Sequence, residues 1–208
     1  MNDEPSIAGR VLRASTTGFT IGCQQAIAEQ SRTTPEFGSL VKALNGDGSV
    51  TYGLVYNVAV EDDPFVRQLV AAGVEDEVYI ADQRQRRQAP VAVDVLVVGH
   101  GRPKAAGSAI MDVHHRLPPQ PPATLDRIYG CNAAELVRFT ERNDWLRIVL
   151  AAPTVPADAL LVAVLRTAAA ARREQAETYL VAAGRELAKL LAMDLVRLDG
   201  ILRQLRDA

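Results

Sequence analysis

The residues that could do metal or thiol chemistry in this sequence are few: the adjacent His114 and His115, the isolated His100, and the thiols Cys23 and Cys131. Zinc sites usually draw their ligands from two spaced pairs of Cys or His. Adjacent residues of a strand point to opposite faces, so His114 and His115 could not share one ion there. We interpret them as polar loop residues and predict no metal site.

A cysteine–histidine nucleophile could form between Cys23 and either His100 or His114, because such partners meet in space and not in sequence. No residue around Cys23 predicts an activated thiol. The alternative is that both cysteines are reduced structural thiols, as is typical of a cytosolic protein. We favour that alternative.

A nucleotide-hydrolysing site needs a glycine-rich loop that ends in Gly-Lys-Ser or Gly-Lys-Thr. The nearest match is GHGRPK at residues 99–104, which lacks both the spacing and the hydroxyl. The sequence therefore predicts no catalytic residues and no cofactor, and we expect the chain not to be an enzyme. A small hydrolase is a further alternative, because a perturbed acid or thiol in a pocket cannot be identified from sequence.

Charged side chains of both signs flank the first predicted helix and the strand after it. The candidate contact residues of this kind are Asp62, Asp63, Arg67, Arg84, Arg86 and Arg87. Arginine donors suit carboxylates and phosphates, and opposite charges at two places on one module suit a head-to-tail contact between copies. The alternative for the arginines is a solvated turn before a strand.

The overall composition restricts the class of protein. The chain has 208 residues, 48% hydrophobic and 23% charged, with a formal net charge of −2. That charge argues against a broad surface for nucleic acid or anionic membrane. The N-terminus is acidic without an apolar segment, and no run is long enough to cross a bilayer. We expect a cytoplasmic protein with no membrane partner.

The elements that would position these residues begin with a β-hairpin at Phe37–Val60, whose turn is Asn45-Gly46-Asp47-Gly48. Apolar residues alternate after the turn, at Val50, Tyr52, Leu54, Tyr56, Val58 and Val60. A period of two predicts a strand with one apolar face, and Val55 adds to the opposite face. Part of this strand is therefore expected to be covered on both sides.

Further strands are predicted on both sides of the hairpin, at Ile7–Leu12, Thr17–Cys23, Pro90–His100 and, more weakly, Ala105–Val113. Asp94 is the only charged residue in the third of these runs. Asp63-Pro64 predicts a helix start between the hairpin and that run. This spacing of short strands is typical of a small β-barrel.

The consecutive prolines at Leu117–Pro122 predict a stiff, extended connector. We therefore divide the chain into a barrel domain at residues 1–116, a proline-rich connector at 117–123 and a helical domain at 124–208. Helices are expected at Ala133–Thr140, after a capping box, and at Asp144–Ala151, where a strand is the alternative. Ala157–Ala208 is expected to be helical, with a break at Gly184 or Gly200.

Leucines in this last segment recur at spacings of four and three, which is typical of a packed helix pair. The candidate interaction residues here are Leu191, Leu198, Leu202 and Leu205. They would form a helical hairpin or pair with another subunit.

Four short motifs resemble the HAS-barrel family: GRV at residues 9–11, STTGFT at 15–20, GSLVKA at 38–43 and YGLVYNV at 52–58. This barrel stands at the N-terminus of HerA-type DNA translocases and of rotary ATP synthase subunits, and the sequence is similar to stand-alone bacterial members with a helical C-terminal region. The resemblance implies a six-stranded barrel that holds subunits in a ring, and in the translocases docks a nuclease. No phosphate loop follows the barrel here, so no catalytic residue of the family has a counterpart.

We therefore predict an α+β protein: a small, closed, six-stranded N-terminal β-barrel followed by a C-terminal all-helical region. The predicted function is non-catalytic assembly, as a homo-oligomer or as an adaptor on a HerA-like ATPase, a nuclease or another DNA-processing complex. The alternative is a nucleic-acid-binding accessory protein that uses aromatic residues on the barrel and the arginines at 84–87 and 172–173.

Overall fold

The computed structural model describes residues 7–24, 34–60, 64–73, 76–80, 90–104 and 111–206. Seven strands are described: β1 (Ile7–Ala14), β2 (Gly18–Gln24), β3 (Leu40–Leu44), β4 (Val50–Val60), β5 (Pro90–Pro103), β6 (Met111–His114) and β7 (Arg127–Gly130). The longer helices are α1 (Pro64–Ala71), α2 (Ala133–Phe139), α3 (Trp145–Leu150), α4 (Ala157–Arg172), α5 (Ala176–Leu190) and α6 (Leu195–Arg206).

Six of the strands form a closed antiparallel barrel in the order β1, β2, β5, β4, β3, β7 and back to β1. The ring closes where Gly18–Gln24 of β2 pairs with Pro90–Leu96 of β5. The strand β6 pairs with the far end of β5 and lies outside the ring. The predicted fold class, a small closed barrel with helices in the C-terminal region, is confirmed.

One strand of the ring was not predicted. The strand β7 follows the proline-rich connector, outside the range 1–116 expected for the barrel, and pairs with both β1 and β3. It has only four residues, too few to show an alternating pattern. The weak strand expected at Ala105–Val113 is β6, which begins at Met111; residues 105–110 lie outside the described part.

The core consists of two apolar clusters on opposite sides of the barrel wall. The first fills the barrel interior: Ala8, Val11, Phe19, Ile21, Cys23, Val41, Ala43, Val55, Val91, Val93, Val95, Val97 and Ile128. The second lies between the outer face of the wall and the helices, where Tyr52, Leu54 and Leu96 meet Phe139, Trp145 and Leu165. The strand β4 is thus covered on both sides, as its sequence predicted.

Gly53 shows how tightly the wall is packed. A Cβ atom at this position would lie 2.3 Å from Cγ1 of Val95 inside the barrel, much closer than real Cβ contacts. Close approach of two strands here therefore requires glycine.

The helices of the C-terminal region pack on the outer face of the barrel wall. Asn132 and Glu135 form the predicted capping box at the start of α2, and Trp145–Leu150 is the helix α3 and not a strand. The predicted breaks at glycine are wrong. The last segment divides at Arg173–Gln175 and again between Leu190 and Leu195, while Gly184 and Gly200 lie inside α5 and α6.

None of the helices in the described ranges combines the length and the apolar character needed to cross a membrane.

Candidate functional site

A group of exposed apolar side chains lies at the end of β4 and on the helix that follows it in the chain. We call it the α1 surface and define it by Val58 and Val60 of β4 and Val66 and Val70 of α1. Their exposed fractions are 42%, 65%, 48% and 76%. The helix α1 has no buried residue, although its residues at 65, 66, 69 and 70 form the apolar face that the sequence predicted.

One of the charged candidates, Arg67, belongs to this segment. Arg67 is exposed on α1. Asp62, Asp63, Arg84, Arg86 and Arg87 fall outside the described residues, so their predicted role stays a prediction.

The leucine candidates are placed in the chain's own core. Leu191 and Leu198 are buried among the helices, and Leu202 and Leu205 pack partly against the same cluster. Packing against α4 therefore explains the leucine pattern within one chain, as the expected helical hairpin would, and leaves these side chains little surface for another subunit.

The histidines are separated by the local backbone. The ring of His114 lies 5.5 Å from that of His100 between centroids, and its Nε2 is 3.3 Å from a carboxylate oxygen of Asp112. The ring of His115 is turned inward, with Nε2 2.9 Å from the carbonyl oxygen of Phe139. No group of three or more potential metal ligands comes together among the residues described.

Neither thiol is placed as a nucleophile. Burial raises the pKa of Cys23 to about 11. Burial also raises the pKa of Cys131, as does the nearby charge of Glu135, while Lys42 opposes them. A thiolate is the reactive form, so both groups are held in the unreactive state at neutral pH.

Two residues that would contact nucleic acid in the alternative function make contacts within the chain instead. Tyr52 is buried against Phe139. Arg172 donates to the carbonyl of Val137 and to Oγ1 of Thr140, and its guanidinium lies 3.9 Å from the centroid of the Tyr179 ring. Neither side chain is presented to a nucleic acid strand.

One cavity of the described structure was not predicted. It is a cleft of about 820 Å³ between the outer face of the barrel and α3 with the loop that follows it, and we call it the barrel–helix cleft. Its floor includes Thr20 of β2, Tyr56 of β4 and Asp94 of β5, and its roof includes Ile148 and Val155.

A polar network occupies one wall of this cleft. Thr20 Oγ1 donates to Asp94 Oδ1 at 2.6 Å, Asn57 donates to Oδ2 at 3.0 Å, and a guanidinium nitrogen of Arg13 lies 3.7 Å from Oδ1. Burial alone would raise the pKa of Asp94, but these hydrogen bonds and the charge of Arg13 together hold it below its usual range. Asp94 is therefore a carboxylate at neutral pH. A lone charge in an otherwise apolar strand was the one sequence signal for this site.

No family model matches this sequence, and no curated protein matches it at a significant level.

Proposed function

We propose that this chain is a non-catalytic assembly or adaptor protein that self-associates, or docks on a ring-forming ATPase or DNA-processing complex, through the α1 surface. The observation that carries the proposal is an amphipathic helix with no buried side chain. Exposed apolar patches of this kind mark sites of protein association.

The length of α1 strengthens this interpretation. An isolated helix shorter than about 12–15 residues is marginal in water, and most helices in proteins are stabilised by packing of an apolar face. The helix α1 has 8 residues, none of them buried. A partner surface that covers Val66 and Val70 would supply the missing packing.

The end of β4 contributes the other two side chains of the α1 surface. Val58 and Val60 are exposed on the strand, and three residues separate Val60 from the start of α1. A partner that covers α1 could therefore reach the apolar end of β4 as well. The arginine and aspartate clusters predicted from sequence lie between β4 and β5 in the chain. In this proposal they orient the partner more than they strengthen its binding.

The resemblance to the HAS-barrel family supports an assembly role. A closed six-stranded barrel is the fold that the resemblance implies, and the role implied with it is to hold neighbouring subunits in a ring. The chain has the barrel together with helices that pack on its outer face.

The test is the mass of the purified chain in solution. Multi-angle light scattering at micromolar concentration is expected to give a mass above 22.5 kDa for the wild type. The double variant Val66→Glu/Val70→Glu is expected to shift toward the monomer, because two charges cannot be buried in an apolar contact.

Val181→Glu is the matched control, since Val181 on α5 is 47% exposed and lies outside the α1 surface. It should leave the mass unchanged, and far-ultraviolet circular dichroism should show all variants folded. A wild type that is monomeric throughout would exclude self-association. The other version of the proposal, docking on a ring-forming ATPase, is tested by measuring the binding of the same variants to a purified ring-forming translocase. Equal binding by Val66→Glu/Val70→Glu and wild type would exclude docking through the α1 surface.

A further inference from the structure

The barrel–helix cleft combines an apolar body with a positively charged rim. We propose that it is a binding site for a small amphipathic anion, a molecule with an apolar body and a carboxylate or similar anionic end. Such a site goes beyond the assembly role, since none of the four residues that define the α1 surface lines the cleft.

The size of the cleft suits a small molecule. Ligand pockets typically have volumes of about 300–1,000 Å³, with mostly apolar walls and a few polar groups that fix orientation. The cleft has a volume of about 820 Å³. Leu96, Leu117, Ile148, Ala152 and Val155 supply apolar wall, and Leu117 is 44% exposed where it lines the cleft.

The charges of the cleft favour an anion. Three charged residues line it: Arg13, Asp94 and Arg147. Arg13 lies against Asp94, and the two charges offset each other. The guanidinium of Arg147 is exposed and has no hydrogen-bond or ion-pair partner among the described residues. The residues that line the cleft therefore carry a net charge of one positive unit. The unpaired N–H donors are those of the Arg147 guanidinium on α3.

The remaining polar groups of the cleft are neutral. The hydroxyl of Thr20 donates a hydrogen bond to Asp94 and accepts one from Nε of Arg13. The second of these bonds holds the Arg13 side chain at the cleft. Burial raises the pKa of Tyr56, and the charge of Asp94 raises it further, so its hydroxyl stays protonated. An arginine fork and a neutral hydroxyl are both donors that an anionic oxygen accepts from.

The experiment is isothermal titration calorimetry of the full chain with decanoate, and with decanol as the neutral molecule of the same length. Wild type is expected to bind decanoate saturably and more tightly than decanol. Arg147→Gln should weaken decanoate binding by about tenfold, the usual size for one charge-assisted hydrogen bond, and leave decanol unchanged. Arg185→Gln is the matched control, because Arg185 is an exposed arginine on α5 that does not line the cleft. This variant should bind decanoate and decanol as the wild type does.

Two further variants locate the site. Ala151→Trp places a large ring in the cleft from an exposed position and should abolish binding of both molecules. Asp94→Asn removes the negative charge beside Arg13 and should tighten decanoate binding while leaving decanol binding unchanged. Thermal melting identifies any variant that fails to fold.

Three results would overturn the inference. One is the absence of saturable decanoate binding to the wild type. Another is binding that Ala151→Trp does not alter, which would place the molecule elsewhere, for example on the α1 surface. The third is decanol binding as tight as that of decanoate, which would show that the anionic end is not recognised.

Discussion

The ring centroids of Tyr52 and Phe139 lie 5.2 Å apart with an angle of 45° between the ring planes. Tyr52 is on the outer face of β4, and Phe139 ends α2, so this contact joins the barrel wall to the helices. Both side chains belong to the apolar cluster that spans the two parts. The barrel and the helices are thus linked by buried aromatic contact, and they should unfold together.

Removing this contact should cost much of the stability of the chain. Phe139 is 2% exposed, and truncating a buried phenylalanine to alanine costs about 3–5 kcal/mol. We expect Phe139→Ala to lower the free energy of unfolding by that amount in urea titrations. Phe37→Ala is the control, since Phe37 is 39% exposed and should cost far less. Separate unfolding transitions for strands and helices in the wild type would contradict the linkage.

Stability should depend on pH through His115. Burial lowers the pKa of His115 below its usual 6.5, and the hydrogen bond to Phe139 and the charge of Asp144 offset this only in part. The unfolded chain therefore takes up the proton more readily than the folded chain. Stability is fully present above pH 6.5 and is lost as pH falls through that value toward the folded pKa.

The measurement is the urea midpoint of wild type and His115→Phe between pH 8 and pH 5. The wild-type midpoint should fall more steeply over this range than that of the variant, whatever the difference between them at pH 8. Parallel curves would show that His115 does not take part.

The junction between α4 and α5 contains a strained residue. Arg173 has φ of 50° and ψ of −109°, a backbone conformation that glycine adopts far more readily. Arg173→Gly should raise the free energy of unfolding by about 1 kcal/mol, the low end of the cost of such strain. Arg185→Gly, in the middle of α5, should lower it by about 1 kcal/mol, the usual helical cost of glycine. If both substitutions changed the free energy of unfolding in the same direction, the backbone at Arg173 would not be strained.

The thiols should be protected in the native chain. With the pKa of Cys23 raised to about 11 by burial, and that of Cys131 raised as well, native protein at pH 8 should react slowly with Ellman's reagent. Two thiols per chain should react rapidly in urea, in agreement with the two free cysteines. Rapid labelling of native Cys23, lost in a Cys23→Ser variant, would revive the cysteine nucleophile.

The parts of the fold that the sequence predicted depend on local patterns. The turn at Asn45–Gly48 and the alternation along β4 need only neighbouring residues to be recognised, and the capping box of Asn132 and Glu135 spans four residues. The strand β7 has no such pattern. Its place is decided by pairing with residues far away in sequence, such as Tyr129 with Ile7 and with Lys42.

The glycines were misinterpreted for a related reason. Intrinsic propensity makes Gly184 a candidate break, but a Cβ atom there would lie 3.6 Å from a methyl carbon of Leu202 on α6. Contact between α5 and α6 overrides the weak helix propensity of one residue. The true junction falls at Arg173, a good helix former, where no sequence signal marks it.

The barrel–helix cleft could not be located from sequence, because its walls come from distant segments. Asp94 stands out as a charge in an apolar strand, yet its partners Arg13 and Thr20 come from β1 and β2, and Arg147 comes from α3. Only the closed barrel with its covering helices brings these side chains to one place.

The late position of β7 has a consequence for biosynthesis. Until Gly130 has left the ribosome, β1 and β3 have no strand between them and expose unpaired amide and carbonyl groups. Open edges of this kind are templates for pairing with other chains. A nascent chain whose β7 has not yet emerged would therefore be a target for aggregation or for chaperone capture, and the pairing of β7 with β1 and β3 would end that exposure.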